Sequence, residues 1–240
     1  MKSTEEIRFE VNYSKDFHKY KNMSSTKLLK ICTKIFESKS PFKYVQHTPA
    51  SIAPLTKYLQ KMKIKDLGKA EIKFLDEARQ VNFQTENYLP IYENDPGSFI
   101  IGIFFLPPNT RIPLHDHPDM CVTSKILEGN CRVRSYDWLQ TTLYSSTGAS
   151  RSYIHYTYAD LVQDEWKKKN DVWSLFQNTG NVHEITSGEE GCALLDVIAP
   201  DYDGCSRVCT FYKEERSLSI SEGNNDYDGS SLLIPSSDPY

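Results

Sequence analysis

The sequence predicts a mainly β fold, an antiparallel sandwich or barrel with helices packed outside it at the N-terminal end. Three observations carry that prediction. Short apolar runs recur from residue 88 onward with turn chemistry between them, which favours a sandwich or barrel over a parallel sheet. Before residue 84 the clearest apolar period is helical. Two histidines, His115 and His117, sit one residue apart in Ile112-Pro113-Leu114-His115-Asp116-His117-Pro118-Asp119-Met120. On extended backbone that spacing sends both imidazoles to one face.

Taken in order, residues 1–23 are polar and lysine-rich, with Phe9, Tyr13, Phe17 and Tyr20 at no clear period. They receive no assignment. From Ser25, the set Leu28, Leu29, Ile31, Cys32, Ile35 and Phe36 falls at helical spacing; Ser24 or Ser25 supplies a cap, and the helix ends before Pro41. A second helix opens near Ser51, takes Pro54 in its first turn, and places Leu55, Tyr58, Leu59 and Met62 on one face. Strands are then expected at 88–92, 99–106, 121–127, 130–138, 153–158, 172–177, 182–186, 192–198 and 207–212. Asn94-Asp95-Pro96-Gly97 reads as a turn, the Ser- and Thr-rich stretch 139–151 as a loop, and 163–171 as a charged turn or short helical connection. This divides the chain into a helical segment, residues 1–84, a β-barrel, residues 85–216, and a Ser-, Gly-, Asn- and Asp-rich tail, residues 217–240, lying over the surface.

The candidate chemistry centres on three imidazoles. His183, in Gly180-Asn181-Val182-His183, joins the pair from a neighbouring strand. Pro113 and Pro118 restrict the backbone around the pair, and Glu128-Gly129 closes the 121–127 run as a tight hairpin would. Three neutral imidazoles suit Fe, Zn, Cu or Ni, so ligand type leaves the metal open, and zinc with an open water position is the strongest rival to iron. Asp116, between the pair, is turned away by strand alternation and reads as structural. His18, His47 and His155 lack partner spacing and read as surface or packing residues. Asp196 follows Ala193-Leu194-Leu195; spacing alone favours a loop-end carboxylate paired with an arginine over an inward-facing one.

These residues resemble the first cupin motif, with Val122 standing where many cupins carry a glutamate ligand; the second motif is met in part by Gly180-Asn181-Val182-His183, Asn178 taking the usual proline place. A closer resemblance runs over residues 50–213. His115-Asp116-His117-Pro118-Asp119-Met120, Ser124-Lys125-Ile126-Leu127-Glu128-Gly129, Ser135-Tyr136-Asp137-Trp138, Leu195-Asp196-Val197-Ile198-Ala199-Pro200-Asp201-Tyr202 and Cys209-Thr210-Phe211-Tyr212 are similar to the cysteamine (2-aminoethanethiol) dioxygenase and plant cysteine oxidase family of thiol dioxygenases.

The resemblance implies a cupin (double-stranded β-helix, jelly-roll-like) barrel with N-terminal helices packed outside. It implies Fe(II) held by His115, His117 and His183, and addition of both atoms of O2 to the sulfur of cysteamine, of a peptide's N-terminal cysteine, or of both. Asp196 becomes a near-metal or substrate-orienting catalytic group. Tyr202 matches a tyrosine near the substrate pocket, with packing an equally open reading. Cys209 matches a cysteine that some members cross-link to a tyrosine two residues later; Phe211 stands there, and such a cross-link is not expected. Free cysteine would call for an arginine clamp on its carboxylate, and none is placed near the motifs. The alternatives are another metal-dependent cupin enzyme, such as a Zn or Ni isomerase or hydrase, and a non-catalytic cupin binding module.

The whole chain narrows the partners further. A formal charge of −4 argues against general capture of nucleic acid or anionic membrane. Six cysteines without Cys-x-x-Cys spacing read as intracellular thiols. The N-terminal residues lack an apolar leader core, and no stretch approaches about eighteen apolar residues. The expectation is a monomer in the cytoplasm, the nucleus left open, acting on O2 and a small aminothiol or a peptide with N-terminal cysteine.

Overall fold

A computed structural model of the chain describes residues 12–13, 27–37, 46–80, 87–93, 98–147, 152–216 and 230–236. Helices α1 (Lys27–Phe36), α2 (Pro49–Lys61) and α3 (Lys69–Gln80) come first. The α1 stripe is Leu28, Cys32 and Phe36, one residue per turn. Helix α2 begins at Pro49, two residues earlier than expected, because Thr48 caps it: Ser51 N–H donates to Thr48 Oγ1 at 3.3 Å while Thr48 N–H donates to Ser51 Oγ at 2.9 Å. Pro54 therefore falls past the first turn, inside the helix. Helix α3 has no counterpart in the sequence reading. Phe74, Leu75 and Ala78 of its largely polar sequence are buried, and so is Glu71 in its first turn.

The apolar stripes of α1 and α2 pack on one face of the sheet, against Leu89, Ile91, Ile101, Ile103, Leu195 and Val197. Each fully buried Leu or Ile there contributes about 1.5–3 kcal/mol relative to exposure. The helices cover the barrel from outside. None of the described helices is long and apolar enough to cross a membrane, and all six cysteines are free thiols.

The strands are β1 (Asn12–Tyr13), β2 (Asn87–Glu93), β3 (Ile100–Leu106), β4 (Arg111–His115), β5 (Cys121–Thr147), β6 (Ser152–Lys168), β7 (Val172–Leu175), β8 (Val182–Ala199), β9 (Tyr212–Arg216) and β10 (Ser231–Pro235). All pairings are antiparallel except β1 with β2. Strands β5 and β8 run the length of the sheet. They pair from Cys121 opposite Ala199 to Tyr136 opposite Val182, with shifts of register around Ile126–Glu128 and Gly129–Cys131. The first part of β5 and the last part of β8 share a sheet with β2, β3 and β7. The remainder pairs with β4 and β6, and through β6 with β10 and β9. An isolated bridge from His115 to Phe211, the residue before β9, brings that end of the curled sheet beside β4. Leu106, Ile126 and Leu194 from one part meet Ile112, Cys131, Val133 and Ile185 from the other in a shared core.

Several expected boundaries move. The hairpin expected at Glu128-Gly129 is a bulge in a continuous strand: Gly129 (φ 67°) crosses Gly191 (φ 76°), and a Cβ on Gly129 would lie 2.0 Å from the Gly191 carbonyl oxygen. Positive φ serves hairpins and bulges alike, so the glycine cue does not separate them. Part of the expected 139–151 loop is strand, Thr142 to Thr147 pairing with Ser152 to Thr157. The expected connection at 163–171 is strand as far as Lys168, its charges answered across β5 by pairs such as Arg132 with Asp164 at 2.6 Å. The last barrel strand starts at Tyr212 and not at residue 207. Before it, the Asp203 carboxylate accepts the N–H groups of Cys205, Ser206 and Arg207 at 2.8–2.9 Å and folds that stretch into a loop. Within the segment expected as a surface tail, β10 inserts between β6 and β9.

Gly129→Ala should cost about 2–4 kcal/mol in urea unfolding, because its Cβ meets backbone. Gly204→Ala, also at positive φ (69°) but with nothing within 4 Å of its Cβ, should cost about 1 kcal/mol. Equal costs would show that the bend does not depend on this close approach.

Candidate metal centre

Strand pairing brings the three histidines together. His115 ends β4 directly opposite His183 on β8, and Ser135 on β5 is the partner of His183 on the other side. His117 follows beyond the end of β4. The three rings are buried, with centroids 4.9 Å (115 to 117), 4.5 Å (115 to 183) and 5.1 Å (117 to 183) apart, and one ligand atom from each lies within 4.8 Å of the others.

The hydrogen bonds fix which nitrogen is available. His115 Nδ1 lies 2.8 Å from the Pro113 carbonyl and His183 Nδ1 lies 3.4 Å from the Asn181 carbonyl. A carbonyl only accepts, so both Nδ1 atoms carry the proton. His117 Nδ1 is 2.7 Å from Tyr202 Oη, whose own proton goes to the Asp116 carbonyl at 3.1 Å, so the phenol oxygen accepts from His117. Each ring therefore keeps a bare Nε2. Burial drives His115 down to about 4 despite the Pro113 contact, and pushes His117 and His183 well below the ordinary histidine value, with neighbouring imidazoles adding to it. At neutral pH all three are neutral donors, as a metal requires.

Among the described residues no carboxylate joins them. Val122, at the position where a glutamate ligand would stand, packs with Met120, Leu175 and Ile198 in an apolar cluster. Asp116 points away: its carboxylate accepts Thr210 N–H at 2.8 Å and the Tyr212 hydroxyl at 2.9 Å.

A protein-family model described as PCO_ADO matches residues 58–232, most of the chain. The chain belongs to the PCO_ADO family. It is 39% identical over 127 residues to the "Probable 2-aminoethanethiol dioxygenase" of Dictyostelium discoideum (52% of this chain, 55% of that protein). It is 38% identical over 127 residues to "Plant cysteine oxidase 2" of Arabidopsis thaliana (52% and 43%) and 28% over 189 residues to the "2-aminoethanethiol dioxygenase" of Homo sapiens (69% and 66%). The chain spans about half the length of the first two relatives. Among solved structures, a Klebsiella pneumoniae protein with a double-stranded β-helix domain aligns at TM-score 0.38 and 15% identity, over 57% of this chain and 92% of that one. The Schizosaccharomyces pombe Cnp3 cupin domain aligns at TM-score 0.34 and 19% identity, over 50% and 67%. Likeness this slight carries no weight beside the sheet topology itself.

In this PCO_ADO chain Asp196 is no loop-end residue. It sits within β8 opposite Ser124, is buried, and makes no ion pair among the described residues; its Oδ1 has no hydrogen-bond partner there. Burial raises it to about 7 against the pull of the Ser124 hydroxyl. Tyr202 reaches His117, as above. Beside it lies Cys209, whose thiol is pushed up to about 12, chiefly by burial. The Phe211 ring lies 5.9 Å from His115, tilted by 41°. His47 packs edge-on against Phe36 at 4.9 Å, the side chain of His155 is outside the described set, and His18 lies outside the described residues. Sequence reasoning passed over Asn181, whose motif it quoted for His183 alone.

Replacing His183 with alanine should abolish tight metal binding while circular dichroism still reports a folded barrel; full metal occupancy in that variant would remove the third ligand. In the metal-free chain Asp196 binds its proton more tightly folded than unfolded, so its contribution to stability declines as pH rises from about 4 to about 7. Asp196→Asn should therefore match wild type near about pH 4 and be more stable above about pH 7, by at most roughly 4 kcal/mol. Parallel pH profiles of melting temperature would contradict a buried, ionising Asp196.

Proposed function

We propose that the chain is an Fe(II)-dependent thiol dioxygenase that converts cysteamine, or the N-terminal cysteine of a peptide, to the sulfinic acid. The observation that carries this reading is the buried set of three neutral imidazoles, joined by no carboxylate among the described residues, in a chain of the PCO_ADO family. The donors fit the metal: one ligand nitrogen of each histidine lies within 4.8 Å of the others, and each Nδ1 is engaged elsewhere, which leaves Nε2 free to donate. His115, His117 and His183 would hold Fe(II), which when bound supplies the redox chemistry that joins dioxygen to a thiolate sulfur. Both oxygen atoms end on sulfur, the four electrons come from sulfur, and no outside reductant is needed.

The chain's own residues prepare that chemistry. Because the three histidines contribute no negative charge, they would leave the charge of a bound Fe(II) uncompensated, and an entering thiol would then be favoured as the thiolate. Tyr202 holds the His117 ring by accepting its Nδ1–H. Asp196 is left without a ligand histidine to tighten, since all three Nδ1 atoms have other partners; its unsatisfied Oδ1 is suited to receive the ammonium that cysteamine and an N-terminal cysteine share. The arriving cation would favour the ionised carboxylate. Met120, Val122, Leu175 and Ile198 form an apolar cluster with Tyr202 packed against it, which limits water around that phenol.

Purified protein should contain iron and consume one equivalent of O2 per thiol with cysteamine or with a Cys-initiating peptide. Zinc in place of iron and no O2 uptake with either would favour a hydrolytic or binding role. Asp196→Asn should bind iron normally, lower turnover by about ten-fold or more, and raise KM for the amine-bearing thiol above that for a thiol lacking the amine. Unchanged kinetics would return Asp196 to a purely structural place.

A further inference from the structure

We infer that Asn181 is a positioning residue that fixes two of the three metal ligands at once. It lies between Gly180 and the start of β8, is almost fully buried, and makes four hydrogen bonds, three of them to His117 and His183. Its Oδ1 accepts the backbone N–H of His117 at 2.9 Å, and its Nδ2 donates to the His117 carbonyl at 2.8 Å and to the Phe176 carbonyl at 3.1 Å. Its own carbonyl accepts from His183 Nδ1 at 3.4 Å.

The reason such a residue is needed lies in the end of β4. That strand stops at His115, which β8 holds through the His115 to His183 pairing. His117 is two residues further on and has no ladder partner among the described residues, so the sheet does not set its backbone. The carboxamide of Asn181 replaces the missing strand. A primary amide offers one acceptor and a donor in the same plane, which matches the N–H and C=O that a peptide unit presents to a neighbouring strand. Met120 N–H also donates to the His117 carbonyl at 3.0 Å, but the His117 N–H is met by Asn181. A displacement of Asn181 therefore shifts the His117 backbone through the side chain and the His183 ring through the main chain, altering the distance between two ligand nitrogens.

A competing role is simple closure of the turn, since Asn181 also reaches Phe176 and the turn is anchored separately by Gly180 N–H on the Asp137 carboxylate. The two roles separate experimentally. The inference requires that the three histidines hold a metal, and it is independent of the substrate. Full-length metal-free protein is titrated with Co(II) in competition with a chelator, the visible absorption of bound Co(II) is recorded, and the melting temperature of each metal-free variant is measured. Asn181→Ala should bind Co(II) about ten-fold to a hundred-fold more weakly with an altered visible spectrum. Asn181→Asp, which keeps an acceptor for His117 N–H and loses the donor, should fall between it and wild type. Asp137→Ala, which loosens the turn without touching a ligand, should melt lower and bind Co(II) as wild type does. Wild-type affinity and spectrum in a folded Asn181→Ala would overturn the inference, as would an equal loss of affinity in Asp137→Ala. If Asn181→Ala does not fold, Asn181→Asp decides by the same comparison. Failure of wild type itself to bind Co(II) or Fe(II) would bring down the three-histidine site, and this inference with it.

Discussion

Because His115 and His183 are direct cross-strand partners, a slip of one residue between β4 and β8 would turn one of the two imidazoles out of the barrel. The rest of the molecule guards against that slip. Ile112 and Ile185, themselves paired, pack into the core shared by both parts of the sheet. Outside, Arg134 reaches Glu184 at 2.9 Å and Glu214 at 3.0 Å, tying β5 to β8 and β9. Partly exposed ion pairs of this kind are worth about 1 kcal/mol or less each, so the buried apolar contacts carry most of the energy and the charges add specificity of register.

The same burial that holds the strands sets the chemistry. Imidazoles removed from water resist protonation, so the site offers neutral nitrogen at neutral pH. The second consequence is the unsatisfied Asp196 oxygen. A buried polar atom without a partner costs roughly 1–3 kcal/mol, and such a cost is commonly found where a ligand completes the set. Asp116 and Tyr202 extend the control outward. Asp116 holds Thr210 and Tyr212 at the start of β9, while Tyr202 links His117 to the Asp116 carbonyl, so hydrogen bonds tie the loop leading to β9 to the ligand segment.

The ligands were legible in the sequence because a period of two is a strong constraint: His-x-His on extended backbone shares a face, and Asp116 between them does not. The inward face of Asp196 was legible only through the family resemblance, since three apolar residues before it do not tell a strand interior from a strand end. The bend at Gly129 was misread because a glycine at positive φ looks the same in a hairpin and a bulge. Strand β10 escaped notice: Ser231-Leu232-Leu233-Ile234-Pro235 is short, ends in proline, and is preceded by a polar stretch. Asn181 was hidden for a different reason. Its side chain hydrogen-bonds the backbone of His117, 64 positions away in sequence, and no local pattern records that.

The most direct measurement is turnover of cysteamine by the iron-loaded protein under isotopically heavy dioxygen in ordinary water, with the product read by mass spectrometry. A sulfinic acid carrying two heavy oxygen atoms is the predicted result. A sulfinate with oxygen drawn from water, or a disulfide with no oxygen incorporated, would contradict the assignment of this site to thiol dioxygenation.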